Sequence, residues 1–222
     1  MGPWLPDPVF DEPKIESSPE DAALLAESLS IGFMATLERL SPLERAVFIL
    51  HDVFAYPLTE VAGIIDRQEP ATRQLAKRAR DHIEQARPRY APDPADIEAL
   101  STLMMAAALE GDIETLQSFL VEEVVHVSDG GANHLAARAP VVGRDRVARF
   151  FVNLSKRWEP TMELHLVQAN GQFAAYMTNH GEPYMLLVSN WVDGMVVASY
   201  GVRNAEKLAG FHKAWKDAMT SQ

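Results

Sequence analysis

Seven polar side chains between Gln68 and Arg80 have the chemistry to read a nucleic acid: Gln68, Thr72, Arg73, Gln74, Lys77, Arg78 and Arg80. Arginine and glutamine can pair two hydrogen bonds with the edges of guanine and adenine, and lysine answers phosphate charge. On a helix, Arg73, Lys77 and Arg80 fall at spacings of four and three and share one face. Ala71, Leu75, Ala79, Ile83 and Ala86 line the opposite face. Gln68, Thr72, Arg73, Gln74 and Lys77 lie in the N-terminal half, the part of such a helix that meets bases. Arg78 points to the side and suits either a phosphate contact or an ion pair within its own domain. The plainer reading of the whole set is a solvated charged face.

A second set could act on a small molecule. His126, Asp129, His134, His165, Tyr176 and Tyr200 are titratable groups within an otherwise apolar region, the material of acid–base chemistry. Their spacing fits no metal site. Asp129 precedes Gly130-Gly131 and reads more simply as a turn cap, and the histidines as packed or surface residues. Catalysis is therefore disfavoured, and no cofactor or metal is expected.

The elements that must carry the first set are legible. A short helix over 58–65 places Val61, Ala62 and Ile65 on one side, Asp66-Arg67-Gln68 breaks it, and Pro70 suits the first turn of the basic helix. Upstream, Ser18-Pro19-Glu20-Asp21 and Ser41-Pro42-Leu43-Glu44 are helix starts. Leu25, Leu29, Phe33 and Leu37 recur every four residues after the first. The helix from Leu43 to about Phe54 is apolar nearly all round and is expected at the buried centre of a bundle; His51 within it reads as packed or surface. Residues 18–90 thus form an all-α four-helix domain ending in a helix-turn-helix.

Residues 1–17 hold many of the chain's 14 prolines together with Trp4, Leu5, Val9 and Phe10, so this extended linker is expected to lie against a surface. Past Pro88, Pro92 and Pro94 the pattern changes. Helices are expected over 97–109, 112–120 and 144–157. Strands are expected over 124–129, 161–168, 172–177, 184–191 and 195–202, with turns at Asn170-Gly171, Gly181-Glu182-Pro183 and Asp193-Gly194. Helices followed by an antiparallel meander make residues 93–208 an α+β domain, with 209–222 as a C-terminal tail.

Composition sets limits. The 222 residues contain no cysteine and carry a net charge of −11. Residues 66–90 hold seven Lys/Arg against four acids, a net +3, which leaves −14 elsewhere. A small basic island on an acidic chain binds DNA weakly on its own. No apolar run is long enough for a membrane span, and the expected compartment is the cytoplasm.

SPLERAVFILHDVF, LTEVAGIID and ATRQLAKRAR together resemble region 4 of bacterial extracytoplasmic-function sigma factors, with Asp66 where that family usually has glycine. Residues 93–208 resemble a SnoaL-like domain, a cystatin-like cone of curved sheet wrapped by helices, which one sigma-factor subgroup carries. Three further segments match that subgroup: Trp4-Leu5-Pro6 in the linker, Asp129-Gly130-Gly131, and Asn204-Ala205-Glu206-Lys207-Leu208, the last with Ala for Pro and Glu for Asp. The resemblance implies a sigma-factor fragment without region 2, whose region 4 binds the minus-35 promoter element and RNA polymerase core. It also implies that the cone regulates sigma activity in cis, through an interdomain contact built from Trp4, Leu5, Pro6, Asp129, Gly130, Gly131, Asn204, Lys207 and Leu208. Residues 2–10 are expected to dock on the second domain near these motifs. A small-molecule ligand in the cone is a further candidate partner. The alternatives are a stand-alone ligand-responsive DNA-binding regulator and a SnoaL-like isomerase or cyclase.

Overall fold

The computed structural model describes residues 3–11, 30–86, 94–132 and 136–220. The helix start at Ser18, the periodic Leu25 and Leu29, the 87–93 boundary and His134 lie outside the described residues. The chain forms two units, one of residues 33–87 and one of residues 1–32 with 88–222.

The smaller unit contains α1 (Ile31–Arg39, whose first two residues fall in the other unit), α2 (Pro42–Val47), a π-helical turn (Phe48–Val53), α3 (Leu58–Ile64) and α4 (Glu69–Ala86). Val47, Val61, Leu75 and Ala76 form one buried cluster, and Leu40, Ala79 and Ile83 a second with Phe33, Leu37 and Phe48 around them. Ser41 and Glu44 make a reciprocal capping box at the start of α2. The helix expected to be buried from Leu43 to Phe54 is not. Only Glu44 and Val47 in it are buried, and Val53 and Phe54 are 58% and 64% exposed. The reason is the switch to i→i−5 bonding, as in Phe54 N–H to Ile49 O at 3.0 Å. This adds a residue to the turn and rotates the following side chains away from the core. His51 sits with Nδ1 2.7 Å from the Tyr56 carbonyl and closes the turn.

The larger unit begins with α5 (Pro94–Glu110) and α6 (Ile113–Ser118), the latter capped by Asp112, whose carboxylate accepts the Thr115 N–H at 3.0 Å. There follow β1 (Leu120–Asp129), β2 (Val141–Val142), α7 (Arg144–Ser155), β3 (Met162–Ala169), β4 (Gln172–Asn179), β5 (Glu182–Val192), β6 (Met195–Val202) and α8 (Ala205–Thr220). The sheet order is β2-β1-β6-β5-β4-β3. β3 to β6 form the antiparallel meander, but β1 joins β6 in parallel. Each meander hairpin turns on two residues with positive φ: Asn170-Gly171, His180-Gly181 and Asp193-Gly194. Such turns match the right-handed twist of paired strands. The middle turn therefore lies at His180-Gly181, not at Gly181-Glu182-Pro183, because His180 takes the left-handed conformation at φ 52° and Glu182 already pairs with Asn179.

One sheet face packs with α5, α6 and α7 through Met104, Leu116, Phe151, Met177, Leu187 and Trp191. α8 packs on β5, with Leu208, Phe211 and His212 buried. Phe211 meets the Tyr176 ring edge-on at 5.0 Å. Residues 209–222 are thus not a tail as far as they are described: α8 continues through them to Thr220, because Leu208, Phe211 and Trp215 recur at helical spacing and find aromatic partners.

Glu44 links the helical unit's parts. One carboxylate oxygen accepts the Ser41 hydroxyl at 2.7 Å, and the other accepts Arg78 Nε of α4 at 3.0 Å. The Ser41 hydroxyl first, against the opposing effect of burial, and then the Ser41 N–H and Arg78 hold this carboxyl below the ordinary carboxylate range. Glu44→Ala should lower the protection of α4 amides in hydrogen exchange by about 1–3 kcal/mol at neutral pH. A lowered native pKa means that the contribution is complete above the unfolded value near ~4.3 and fades as pH falls through the lower native value. The gap between wild type and variant should therefore narrow in acid.

Candidate functional site

The helix-turn-helix is built by α3, the turn and α4. Asp66 takes φ 53°, a left-handed conformation that aspartate tolerates better than most residues. The Arg67 N–H closes the end of α3 on the Ala62 carbonyl at 2.9 Å. Val61 of α3 packs with Leu75 and Ala76 of α4, and these hold the two helices together.

On α4, Arg73, Gln74, Lys77, Arg78 and Arg80 are exposed, as is Gln68 just before it. Thr72 is not part of this surface. It is wholly buried, and its hydroxyl donates to the Gln68 carbonyl at 3.2 Å. Sequence spacing placed it in the N-terminal half of the helix but could not register that it faces the core. Three of the cations are held by acids of the same unit. Arg73 pairs with Glu69 at 2.6 Å, one turn away on the surface. Arg80 reaches Asp52 at 2.6 Å, and Arg78 takes the buried Glu44. Lys77 has no such partner among the described residues. An exposed i,i+4 pair contributes little and opens readily, so Arg73 remains available. Arg78 bonds the capping-box Glu44, so the ion pair within its own domain is present.

The second site lies within the larger unit. The Trp4–Asp11 segment runs along the cone, and its anchor is Asp129. The Asp129 carboxylate accepts the Leu5 N–H at 3.1 Å and Lys207 Nζ at 2.8 Å on one oxygen, and the Gly131 N–H at 2.9 Å on the other. Lys207 also donates to the Leu5 carbonyl, stands 3.9 Å from the Trp4 ring centroid, and lies 3.7 Å from Asp7. The Asp129 and Lys207 side chains are both nearly sealed from solvent. Burial alone would raise the Asp129 carboxyl, but Lys207 and the two N–H donors outweigh it and hold the group below the ordinary range. Gly131 (φ 60°) sits where an added Cβ would lie 2.8 Å from the Asn204 side chain. Asn204 in turn caps α8 by accepting the Glu206 N–H at 3.1 Å. Trp4-Leu5, Asp129–Gly131 and Asn204–Leu208 therefore meet at one place. Leu5 is fully buried, whereas Trp4 is 55% exposed and covers Lys207 instead of entering the core.

Further along, the segment pairs as an extra edge on the end of β3. Val9 and Asn170 exchange two hydrogen bonds of 2.9 Å, Asp11 N–H reaches the Gln168 carbonyl at 3.2 Å, and Phe10 meets Phe211 edge-on at 5.6 Å. Sequence reasoning missed Asn170, Gln168 and Asp11. Asn170 had registered only as a turn residue, and its buried amide side chain left no other trace.

The candidates for acid–base chemistry are not brought together. His126 faces the helices, with Nδ1 2.8 Å from Ser199 Oγ and Nε2 2.7 Å from Ser128 Oγ, and burial holds its pKa down at about 4. Asp129 belongs to the clamp. Tyr176 and His165 are neighbours across β3 and β4 on the side where α8 packs, and the Tyr176 hydroxyl is hydrogen-bonded to His212 Nδ1 at 2.6 Å. Burial, with the charge of Glu182, pushes that hydroxyl's pKa up. Strand alternation sets Tyr200 on the face opposite Ser199 and so away from His126. The sheet separates His126 from the other described candidates.

The family described as Sigma-70, region 4, matches residues 31–83. The ECF RNA polymerase sigma factor SigJ of Mycobacterium tuberculosis is 35% identical over 223 residues, which is 94% of this chain and 70% of SigJ. The crystal structure of SigJ superposes with a TM-score of 0.71 at 32% identity, covering 95% of this chain and 76% of that one. The ECF RNA polymerase sigma factor SigG of the same species is 30% identical over 74% of this chain and 45% of its own length. A helical region 4 unit followed by a SnoaL-like α+β cone defines the class: a sigma factor with a cone appended. The chain belongs to the extracytoplasmic-function RNA polymerase sigma factor family.

Removing one partner of a buried ion pair leaves the other uncompensated and costs about 3–5 kcal/mol. Lys207→Met should therefore release residues 4–11, seen as hydrogen exchange of the Leu5 and Val9 amides approaching that of free peptide while the β4–β6 amides stay protected. Gly131→Ala should do the same more mildly by displacing Asn204. In the wild type, the clamp's pH dependence follows from the lowered Asp129 value: it is complete above about pH 4 and is lost as the pH falls through the still lower native pKa.

Proposed function

We propose that the helical unit of this sigma factor reads a minus-35 promoter element through Gln68, Arg73, Gln74 and Lys77 and binds RNA polymerase core, while the SnoaL-like cone regulates that activity in cis. The observation that carries the first part is the outward face of α4, where two base-reading residue types stand with a lysine that has no ion-pair partner among the described residues, behind a helix-turn-helix turn. Arg78 and Arg80 act as positioning residues, since Glu44 and Asp52 hold them. Exposed Phe54, Tyr56 and Ile64 offer apolar surface of the kind that a protein partner covers. That support matters because a chain of net charge −11 gathers little non-specific DNA affinity.

Regulation in cis rests on the clamp. The segment 4–11, which precedes the helical unit in the chain, is held on the cone through the Asp129–Lys207 contact. A linker so held limits the positions that the helical unit can take when polymerase and promoter compete for it.

The test is selection of duplexes from a randomised pool by the full chain at low salt, followed by fluorescence anisotropy. The expected result is one enriched sequence for which Arg73→Ala loses about 1–3 kcal/mol, while Lys77→Ala weakens enriched and scrambled duplexes alike. A pool that stays random, or an enriched duplex bound equally well by wild type and Arg73→Ala, would sink the assignment.

A further inference from the structure

Charge is unevenly spread over the larger unit. Residues 144–157, which are α7 and the two residues after it, hold five Lys/Arg and one acid, whereas the rest of residues 94–220 holds five Lys/Arg and fourteen acids. α7 turns Val147, Ala148, Phe151 and Val152 into the core and leaves Arg146, Arg149 and Asn153 exposed, followed by exposed Lys156 and Arg157. Spacings of three, four, three and one keep these five on one side, in a stripe about 16 Å long.

Most of the stripe is not neutralised within the protein. Arg144, at the helix start, is tied down: its Nε donates to the Leu120 carbonyl at 2.8 Å, and its guanidinium meets Glu122 at 3.3 Å. Arg149 meets Asp145 at 3.0 Å, an exposed pair one turn apart that opens readily. Arg146, Lys156 and Arg157 have no ion-pair partner among the described residues, and Lys156 reaches only the neutral Asn153 amide, at 3.3 Å. The Asn153 amide N–H groups remain to donate.

The chemistry of this face selects among anionic partners. A protein interface is centred on aromatic or other apolar anchors, and none of the exposed residues of α7 is apolar. An anionic membrane takes a helix whose apolar side is free to enter it, and here that side is core. A phosphate backbone needs neither, since cations and neutral donors suffice for it. A duplex presents about one negative charge per 1.7 Å of its axis, so a stripe of this length can meet several phosphates.

We propose that this face of α7 is a second DNA contact, which binds the phosphate backbone of a duplex irrespective of sequence through Arg146, Arg149, Lys156 and Arg157, with Asn153 as a neutral donor. The inference rests on the promoter reading in that the reading brings duplex DNA to this chain. The helical unit ties Arg73, Arg78 and Arg80 to its own acids, so the cone adds affinity where the helical unit adds selection.

Fluorescence anisotropy of the full chain with an enriched and a scrambled duplex, from about 50 to 200 mM salt, tests the proposal. Arg146→Gln/Arg157→Gln should weaken both duplexes by at least about tenfold at the low-salt end and reduce the slope of log K against log salt by about 2, at roughly 0.9 per lost contact. Lys156→Gln alone should show about half that change in slope. The affinity ratio of the two duplexes should stay that of the wild type, whereas Arg73→Ala changes the ratio, so failure of the stripe and failure of the promoter reading are told apart. Lys213→Gln/Lys216→Gln removes the same charge from the exposed side of α8 and should alter neither affinity nor slope. Unchanged affinity and slope in the α7 variants would overturn the proposal, as would an equal loss in the α8 variant. So would wild-type binding of polyglutamate, or of phosphatidylserine–phosphatidylcholine vesicles, as tight as that of the duplexes.

Discussion

Burying a carboxylate is costly unless its oxygens are met, and in this protein Asp129 is met by two groups from distant parts of the chain and one from its own loop. Lys207 supplies the opposite charge, the Leu5 N–H comes from the linker, and the Gly131 N–H from the loop just beyond β1. None of these could be withdrawn without leaving a buried charge exposed to an apolar environment. The arrangement therefore works as a single joint: it orders the proline-rich segment, fixes the start of α8 and finishes β1. The stiffness of the segment helps, because a chain rich in proline loses less entropy on docking than a flexible one.

The helical unit follows a different logic. Its recognition helix is basic, yet Glu69, Glu44 and Asp52 each hold one of its arginines. On the proposed reading, these pairs offset the helix's charge and hold Arg78 and Arg80 in place, so that DNA binding depends on a matching sequence and on a protein partner more than on bulk charge. Thr72, which joins the core, narrows the proposed base-facing surface to the side chains that leave α4 away from Leu75 and Ala79.

Much of this was legible in the sequence, for reasons that can be named. Helix starts at Ser41 and Pro70, the meander strands and the Asn-Gly and Asp-Gly turns are local features, set by capping, alternation and positive φ. The π-helical turn was not legible, because Leu43 to Phe54 keeps an apolar pattern whichever hydrogen-bond ring closes it. The parallel pairing of β1 with β6 was hidden as well, since nothing local distinguishes it from another hairpin edge. At the sites, the residue types on α4 and the three clamp segments stood out, but Asp52 did not, and Glu44 and Asn170 showed only their capping and turn roles. Their partnerships appear only when a distant part of the chain reaches them. The same is true of His126: its serine partners are close only because the register sets Ser199 beside it.

The separation in sequence between Lys207 and Leu5 is 202 residues, and this has a consequence for the order of events during synthesis. Chains emerge at roughly 5–20 residues per second, so the linker leaves the ribosome roughly 10–40 s before its lysine exists. Through that interval the helical unit, whose contacts are local, can fold, while the linker has nothing to close upon. The meander must form, β1 must add to β6, and α8 must emerge before the joint can shut. Closure thus follows the folding of the meander and α8, and on the proposed reading a nascent chain passes through a stage in which its DNA-reading module is complete and its restraint is not.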